Sequence, residues 1–209
     1  MISYKYNCIY VHIPKTGGTS IEEIIWPGME NRTVAELWMG FVDPYHNKYQ
    51  TGGLQHLLAS QIRQEVGDRV FNECYRFTVV RNPWDKAVSQ YAYMKQRKDL
   101  RDFIGMQEDD SFKTYLSLIR KREHVQWTPQ YKFFLDDNGD QLVDFIGRFE
   151  SFDDDVFTIL GNLDIRVPAI PHINKSTARR HFREHYDDES ADMVRELYRQ
   201  DIELLGYQW

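Results

Sequence analysis

The sequence predicts an α/β fold in three α/β/α layers around a central, mostly parallel sheet, and three observations predict it. Short, β-rich apolar runs at Cys8–Ile13 and Tyr75–Val80 each lead into a polar turn and then an amphipathic helical pattern. A third apolar run, from about Leu142 to Phe149, precedes another helical stretch. Strands that alternate with helices pair in parallel and are covered on both faces.

"CIYVHI" (Cys8–Ile13) has the composition of a buried strand. After the glycines that follow, "TSIEEIIW" places Ile21, Ile24 and Ile25 on one helical face. Glu22 and Glu23 are expected in its first turn, where the helix dipole favours carboxylates. "HLLASQIRQEV" (His56–Val66) is helical in pattern. "YRFTVV" (Tyr75–Val80) is the second strand, and the helix behind it starts with Asn82 as N-cap and Pro83 at the tolerated first position. Trp84, Val88, Tyr91 and Met94 form its apolar stripe. Further helices are expected at Phe112–Arg122, Asp153–Leu163 and Asp187–Leu205. The acidic runs Asp153–Asp155 and Asp187–Glu189 sit at helix starts, and read as dipole-matched charges rather than metal ligands. No repeat or Pro/Gly/Ser-rich linker divides the chain, so residues 1–209 are expected to form one domain.

Hydrophobic residues make up 42% of the 209 positions and charged residues 28%, as in ordinary globular proteins. The net charge of −6 argues against nucleic acid or an anionic membrane as partner. An anionic ligand must therefore be held by a local cluster, because exposed charges are screened beyond about 8 Å. Two cysteines, Cys8 and Cys74, are too few for a disulfide scaffold and read as buried thiols. Lys5 and Asn7 interrupt the N-terminal run, so no secretory signal is expected, and no window approaches 18 apolar residues. The sequons at Asn31 and Asn174 are then chance matches, and a cytoplasmic protein that begins at Met1 is expected.

Two turns carry the chemistry. "PKTGGTS" (Pro14–Ser20) has the parts of a phosphate loop: glycines that let amides approach an anion, the hydroxyls of Thr19 and Ser20, and a helix N-terminus. A nucleotide triphosphatase loop places its lysine after the last glycine. Here Lys15 precedes Gly17 and Gly18, and no Gly-Lys pair occurs in the chain. A lysine on the approach side can stabilise charge that develops on a bridging oxygen; a merely solvated Lys15 in a common strand–helix turn is the alternative. In "RNPWDKAVS", Arg81 ends a strand and Ser89 lies in the next helix. A guanidinium forks onto a phosphate and a serine adds a hydrogen bond; Arg81 paired with Asp85 is the alternative.

The ordered combination of "PKTGGTS" and "RNPWDKAVS" resembles the sulfotransferases, in particular the carbohydrate-type branch that includes the heparan-sulfate 2-O-sulfotransferases and many bacterial relatives. "GLQHLLASQIR", "IGRFESFDDDV", "PHINKST" and "ELYRQDIELLGY" resemble later family elements, so the similarity runs from Ile9 to Tyr207. The resemblance implies a P-loop-NTPase-like sulfotransferase fold and 3′-phosphoadenosine 5′-phosphosulfate (PAPS) as co-substrate, with no metal. It assigns Lys15, Thr16, Gly17, Gly18, Thr19 and Ser20 to the 5′-phosphosulfate, with Lys15 catalytic, and Arg81 and Ser89 to the 3′-phosphate. Asn174, Lys175 and Ser176 would close over the nucleotide, unless they form an ordinary surface loop.

The resemblance also makes His56 the base that takes the proton of an acceptor hydroxyl, although Leu54 and Gln55 stand before it where the heparan-sulfate enzymes have a second nearby histidine. An imidazole with a pKa near 6.5 suits that task. His56 that only caps or packs its helix is the alternative, His46 is the reserve base, and His12 reads as structural. The acceptor is expected to bear a hydroxyl and to be a carbohydrate or glycoconjugate. Basic strips at Lys95–Lys98, Lys121–Arg122 and Ala178–His185 could serve an anionic one. A small-molecule kinase or nucleotide hydrolase is the rival enzyme class, disfavoured by the lysine's position and by the lack of an evident Mg²⁺-binding aspartate after a strand. A non-catalytic nucleotide-binding module is the third reading.

Overall fold

In the computed structural model, residues 1–28, 32–37, 56–171, 173 and 181–209 are described. Four strands form one sheet in the order β1 (Ile2–Ser3), β2 (Cys8–Val11), β3 (Tyr75–Val80) and β4 (Phe145–Arg148). The β2–β3 and β3–β4 pairs are parallel, with Tyr10 opposite Phe77 and Val79 opposite Gly147. The antiparallel β1 was not legible in the sequence. It pairs with β2 through Ile2 opposite Ile9, and the buried amino group of Met1 donates to the Tyr10 carbonyl at 2.7 Å. Burial lowers that amine's pKa to about 5.

The nine helices among the described residues follow from the alternation of side chains along the strands. Cys8, Tyr10, Phe77 and Val79 point to one face and pack with Ile21 and Ile25 of α1 (Gly18–Ile25) and Val156, Ile159 and Leu160 of α7 (Phe152–Asn162). Ile9, Val11 and Val80 point to the other face. There they meet α2 (Ala59–Glu73), α3 (Pro83–Gln96), α4 (Lys98–Ile104), α5 (Phe112–Ile119), α6 (Tyr131–Phe134), α8 (Asp188–Leu197) and α9 (Arg199–Leu205). The expected three layers are present. No helix among the described residues is long and apolar enough to cross a membrane.

Several boundaries differ from expectation for identifiable reasons. The third expected strand starts at Phe145 rather than near Leu142, because the Leu142 amide donates to Phe134 and Gln141 bridges to Leu135 in a tight hairpin. The first ends at Val11, before the turn at Pro14. The second helix starts at Ala59, not His56, and kinks at Gly67, whose φ is 79°. The expected Asp187–Leu205 helix is two helices broken at Tyr198. Helix α1 begins at Gly18, so Glu22 and Glu23 fall in its second turn rather than its first. Asn82 caps α3 as expected, its side-chain oxygen accepting from the amides of Trp84 and Asp85. Asp153–Asp155 and Asp188–Glu189 occupy first helical turns, and Asp187 caps α8. Both cysteines are buried and free; burial pushes the Cys8 thiol up to about 12.

Candidate functional site

The turns after β2 and β3 leave the carboxyl ends of two neighbouring parallel strands, where open α/β sheets bind ligands. In the first, Lys15 and Gly17 both take left-handed backbone angles, with φ of 69° and 87°. That curl turns successive amides to one side, the geometry of an anion nest. The N–H groups of Gly17, Gly18 and Thr19 meet no acceptor among the described residues, as expected of a helix start left open for a ligand. Two hydroxyls of the loop have partners of their own. Thr16 is fully buried and donates to the Ile13 carbonyl at 2.9 Å, while Ser20 accepts from the Ile173 amide at 3.3 Å. What Thr16 offers a ligand is therefore backbone rather than hydroxyl.

Glycine is required at 18 by close approach: a Cβ there would land inside the His12 ring. His12 is buried, with Nδ1 2.7 Å from Oε1 of the equally buried Glu22, so the pair that the sequence left unread fixes loop to helix. His56 packs edge-on against His12, ring centroids 4.7 Å apart. Its Nδ1 lies 3.1 Å from the His12 carbonyl oxygen. A carbonyl only accepts, so Nδ1 carries the proton and Nε2 keeps its lone pair. Burial, reinforced by His12, holds the His56 pKa well below 6.5. His56 is thus a neutral imidazole with a set tautomer beside the first loop.

The second turn is made of side chains. Arg81 is 3% exposed. Its Nε donates to Asp85 at 2.8 Å, so the alternative pairing exists, and its Nη1 donates to the Lys15 carbonyl at 2.8 Å, which ties the two turns together. Its plane lies over Phe149, 4.0 Å from the ring centroid. Its Nη2 is buried and has no hydrogen-bond partner among the described residues. An orphaned guanidinium nitrogen is costly unless something anionic meets it. Burial lowers this arginine to about 10, against the raising effect of Glu150 and Tyr207. Ser89 is half-buried, on the same helix two turns further on.

Partners that sequence spacing could not reveal hold Arg81 in place. The Gln130 side chain accepts from the Arg81 amide at 2.9 Å and donates to its carbonyl at 2.8 Å. Asp201 in turn receives the amides of Gln130 and Tyr131, each at 2.8 Å. Glu150 accepts from the Asn82 amide at 2.6 Å and from the Tyr207 hydroxyl at 3.0 Å. Lys86, also missed, is 2% exposed on α3; burial lowers its pKa to about 8, opposed by Asp201 and aided by Arg81 and Lys15. Three cations thus converge in a chain that is acidic overall.

The structure brings Lys15, Gly17, Gly18, Thr19, His56 and Arg81 to one end of the sheet. Asn174, Lys175, Ser176 and the reserve base His46 lie outside the described residues, as does Asn31 of the first sequon. The basic strip at Lys95–Lys98 is locally neutralised: Arg97 pairs with Asp99 at 2.7 Å and Lys98 with Asp102 at 2.6 Å, while Lys95 lies over the Tyr91 ring.

A sulfotransferase family model matches residues 1–208, and the chain belongs to that family. An uncharacterized protein of Archaeoglobus fulgidus is 28% identical over 115 residues, which covers 52% of this chain and 88% of that protein. No solved structure gives a significant match. The fold and family together define a sulfuryl transferase of α/β architecture.

Proposed function

We propose that this chain moves the sulfuryl group of PAPS to a hydroxyl of a carbohydrate or glycoconjugate acceptor, in the manner of the carbohydrate-type, bacterial branch of the family. One observation carries the reading: two unlike anion cradles sit at adjacent strand ends and are bridged by the Arg81–Lys15 contact. The open amides of Gly17–Thr19 fit a 5′-phosphosulfate, and the orphaned Arg81 Nη2, with Ser89, fits a 3′-phosphate. PAPS supplies an activated sulfuryl group and a phosphate leaving group. Lys15 and the loop amides stabilise charge on that leaving oxygen, and His56 Nε2 takes the acceptor's proton. His46 is held in reserve as base, and Asn174, Lys175 and Ser176 are assigned to closure over the nucleotide. The paired charges along Arg97–Asp102 favour a neutral saccharide over a heavily sulfated polymer.

The desulfonated product, 3′-phosphoadenosine 5′-phosphate (PAP), is expected to raise the melting temperature by several degrees, and ATP with Mg²⁺ much less. Equal stabilisation by ATP would move the reading to a kinase. His56→Ala should abolish transfer from labelled PAPS while keeping PAP affinity. The pH dependence has a definite sign. Because the His56 pKa is depressed, its neutral, proton-accepting form persists below pH 6.5, so the acid limb of kcat/KM should fall well under that value. An acid limb at or above pH 6.5 counts against His56 as the base.

A further inference from the structure

Resting on that reading, we propose that Tyr93, clamped by Arg97, is a positioning residue that sets where the Lys15 ammonium stands in the site. Helix α3 presents Asp85, Ser89, Tyr93 and then its cap residue Arg97 at four-residue intervals, a single slanting face. Each step advances about 6 Å along the axis. The first position grips Arg81 and the second is the serine of the phosphate turn. The third meets the first loop from across the site: the Lys15 Nζ stands 4.3 Å from the centre of the Tyr93 ring. The fourth fixes the third, with Arg97 Nη1 donating to the Tyr93 hydroxyl while its Nε and Nη2 donate to Asp99 at 3.0 and 2.7 Å.

The chemistry of that contact suits a lysine that must answer charge elsewhere. A ring face attracts an ammonium through its quadrupole. It does so without itself adding a negative charge, so the ring orients Lys15 and does not neutralise it. The hydroxyl is engaged by Arg97, which fixes the far end of the ring, while the face that Lys15 meets is supplied by the ring alone. Helix α3 thereby spans both cradles, its start holding Arg81 and its last turn holding Lys15, and the spacing between the two ligand ends is set by one rigid element.

Reductive ¹³C-methylation of the lysines gives a direct test. The Lys15 resonance, assigned by its absence in Lys15→Arg, should be shifted upfield by the ring, keep that shift in Tyr93→Phe and lose it in Tyr93→Leu. Transfer from labelled PAPS to a panel of 4-nitrophenyl glycosides should fall about tenfold in kcat in Tyr93→Leu and recover in Tyr93→Phe. PAP affinity should stay within twofold. A Lys15 signal at the ordinary lysine position in the wild type overturns the proposal, as does a Tyr93→Leu enzyme with full kcat, or one whose PAP affinity drops in step with turnover. Wild type and Lys15→Ala run alongside separate the two levels: a wild type that neither transfers from PAPS nor binds PAP sinks the transferase reading, full turnover in Lys15→Ala removes Lys15 and with it the positioning role, and an inactive Lys15→Ala leaves the Tyr93 variants to judge that role. Where no glycoside is turned over, the resonance shift decides.

Discussion

In the turn after β2, three successive amides have no acceptor among the described residues, and the space behind them is closed by His12. In the turn after β3, the Arg81 amide and carbonyl and the Asn82 amide all have side-chain partners, the buried Gln130 and the exposed Glu150. The first cradle is backbone shape held open by glycine; the second is a charged side chain held in place by distant residues. A backbone cradle is damaged by added atoms, and a side-chain cradle by removed ones. Substitutions of opposite kind should therefore separate them.

The largest effect is expected from one added methyl. Gly18→Ala sets a Cβ into the His12 ring, which cannot yield without disturbing Glu22 and His56. Overpacking of this kind costs about 1–3 kcal/mol, and the displaced amides should also lose the ligand. Thermal unfolding with and without PAP should show a lowered melting temperature and little stabilisation by PAP. A Gly18→Ala protein with normal stability and a normal PAP shift would remove the backbone cradle from the account.

The second cradle should break by subtraction. Gln130→Leu leaves the Arg81 amide and carbonyl buried without partners, at a cost of about 1–3 kcal/mol. The comparison sharpens in the choice of ligand. PAP should bind more weakly to this variant, whereas adenosine 5′-phosphosulfate, which lacks the 3′-phosphate, should bind as to the wild type. Calorimetric titration of both ligands checks this. Parallel losses for the two would mean that the turns do not act on separate ends of one molecule.

Much of this was legible in the sequence because it is local. Apolar runs, the Asn82–Pro83 helix start and the unusual order of Lys15, Gly17 and Gly18 are all set by near neighbours. The residues that brace the site are not. Gln130 meets Arg81 from 49 positions away, and Glu150 meets Asn82 from 68. Both are single polar residues in otherwise unremarked segments. Lys86 carries no sequence signal, since a buried lysine has no pattern of its own. Glu22 reads as a dipole-matched charge, yet it is buried against His12. Tyr93 follows from helical spacing only once the partner of Lys15 is known.

The smallest effect is the most discriminating within the first cradle. Family resemblance gives Thr16 to the phosphosulfate, but its hydroxyl is fully buried and already donates to the Ile13 carbonyl at 2.9 Å. Thr16→Val keeps the shape and the amide while removing that donor. Stability should drop by about 1 kcal/mol as the carbonyl loses its partner, and PAP affinity should stay within twofold, because only the backbone of residue 16 is available to the anion. A tenfold loss of PAP affinity at unchanged melting temperature would mean that the hydroxyl swings onto the ligand. The first cradle would then be partly a side-chain site, and the contrast with Arg81 would narrow to the glycines alone.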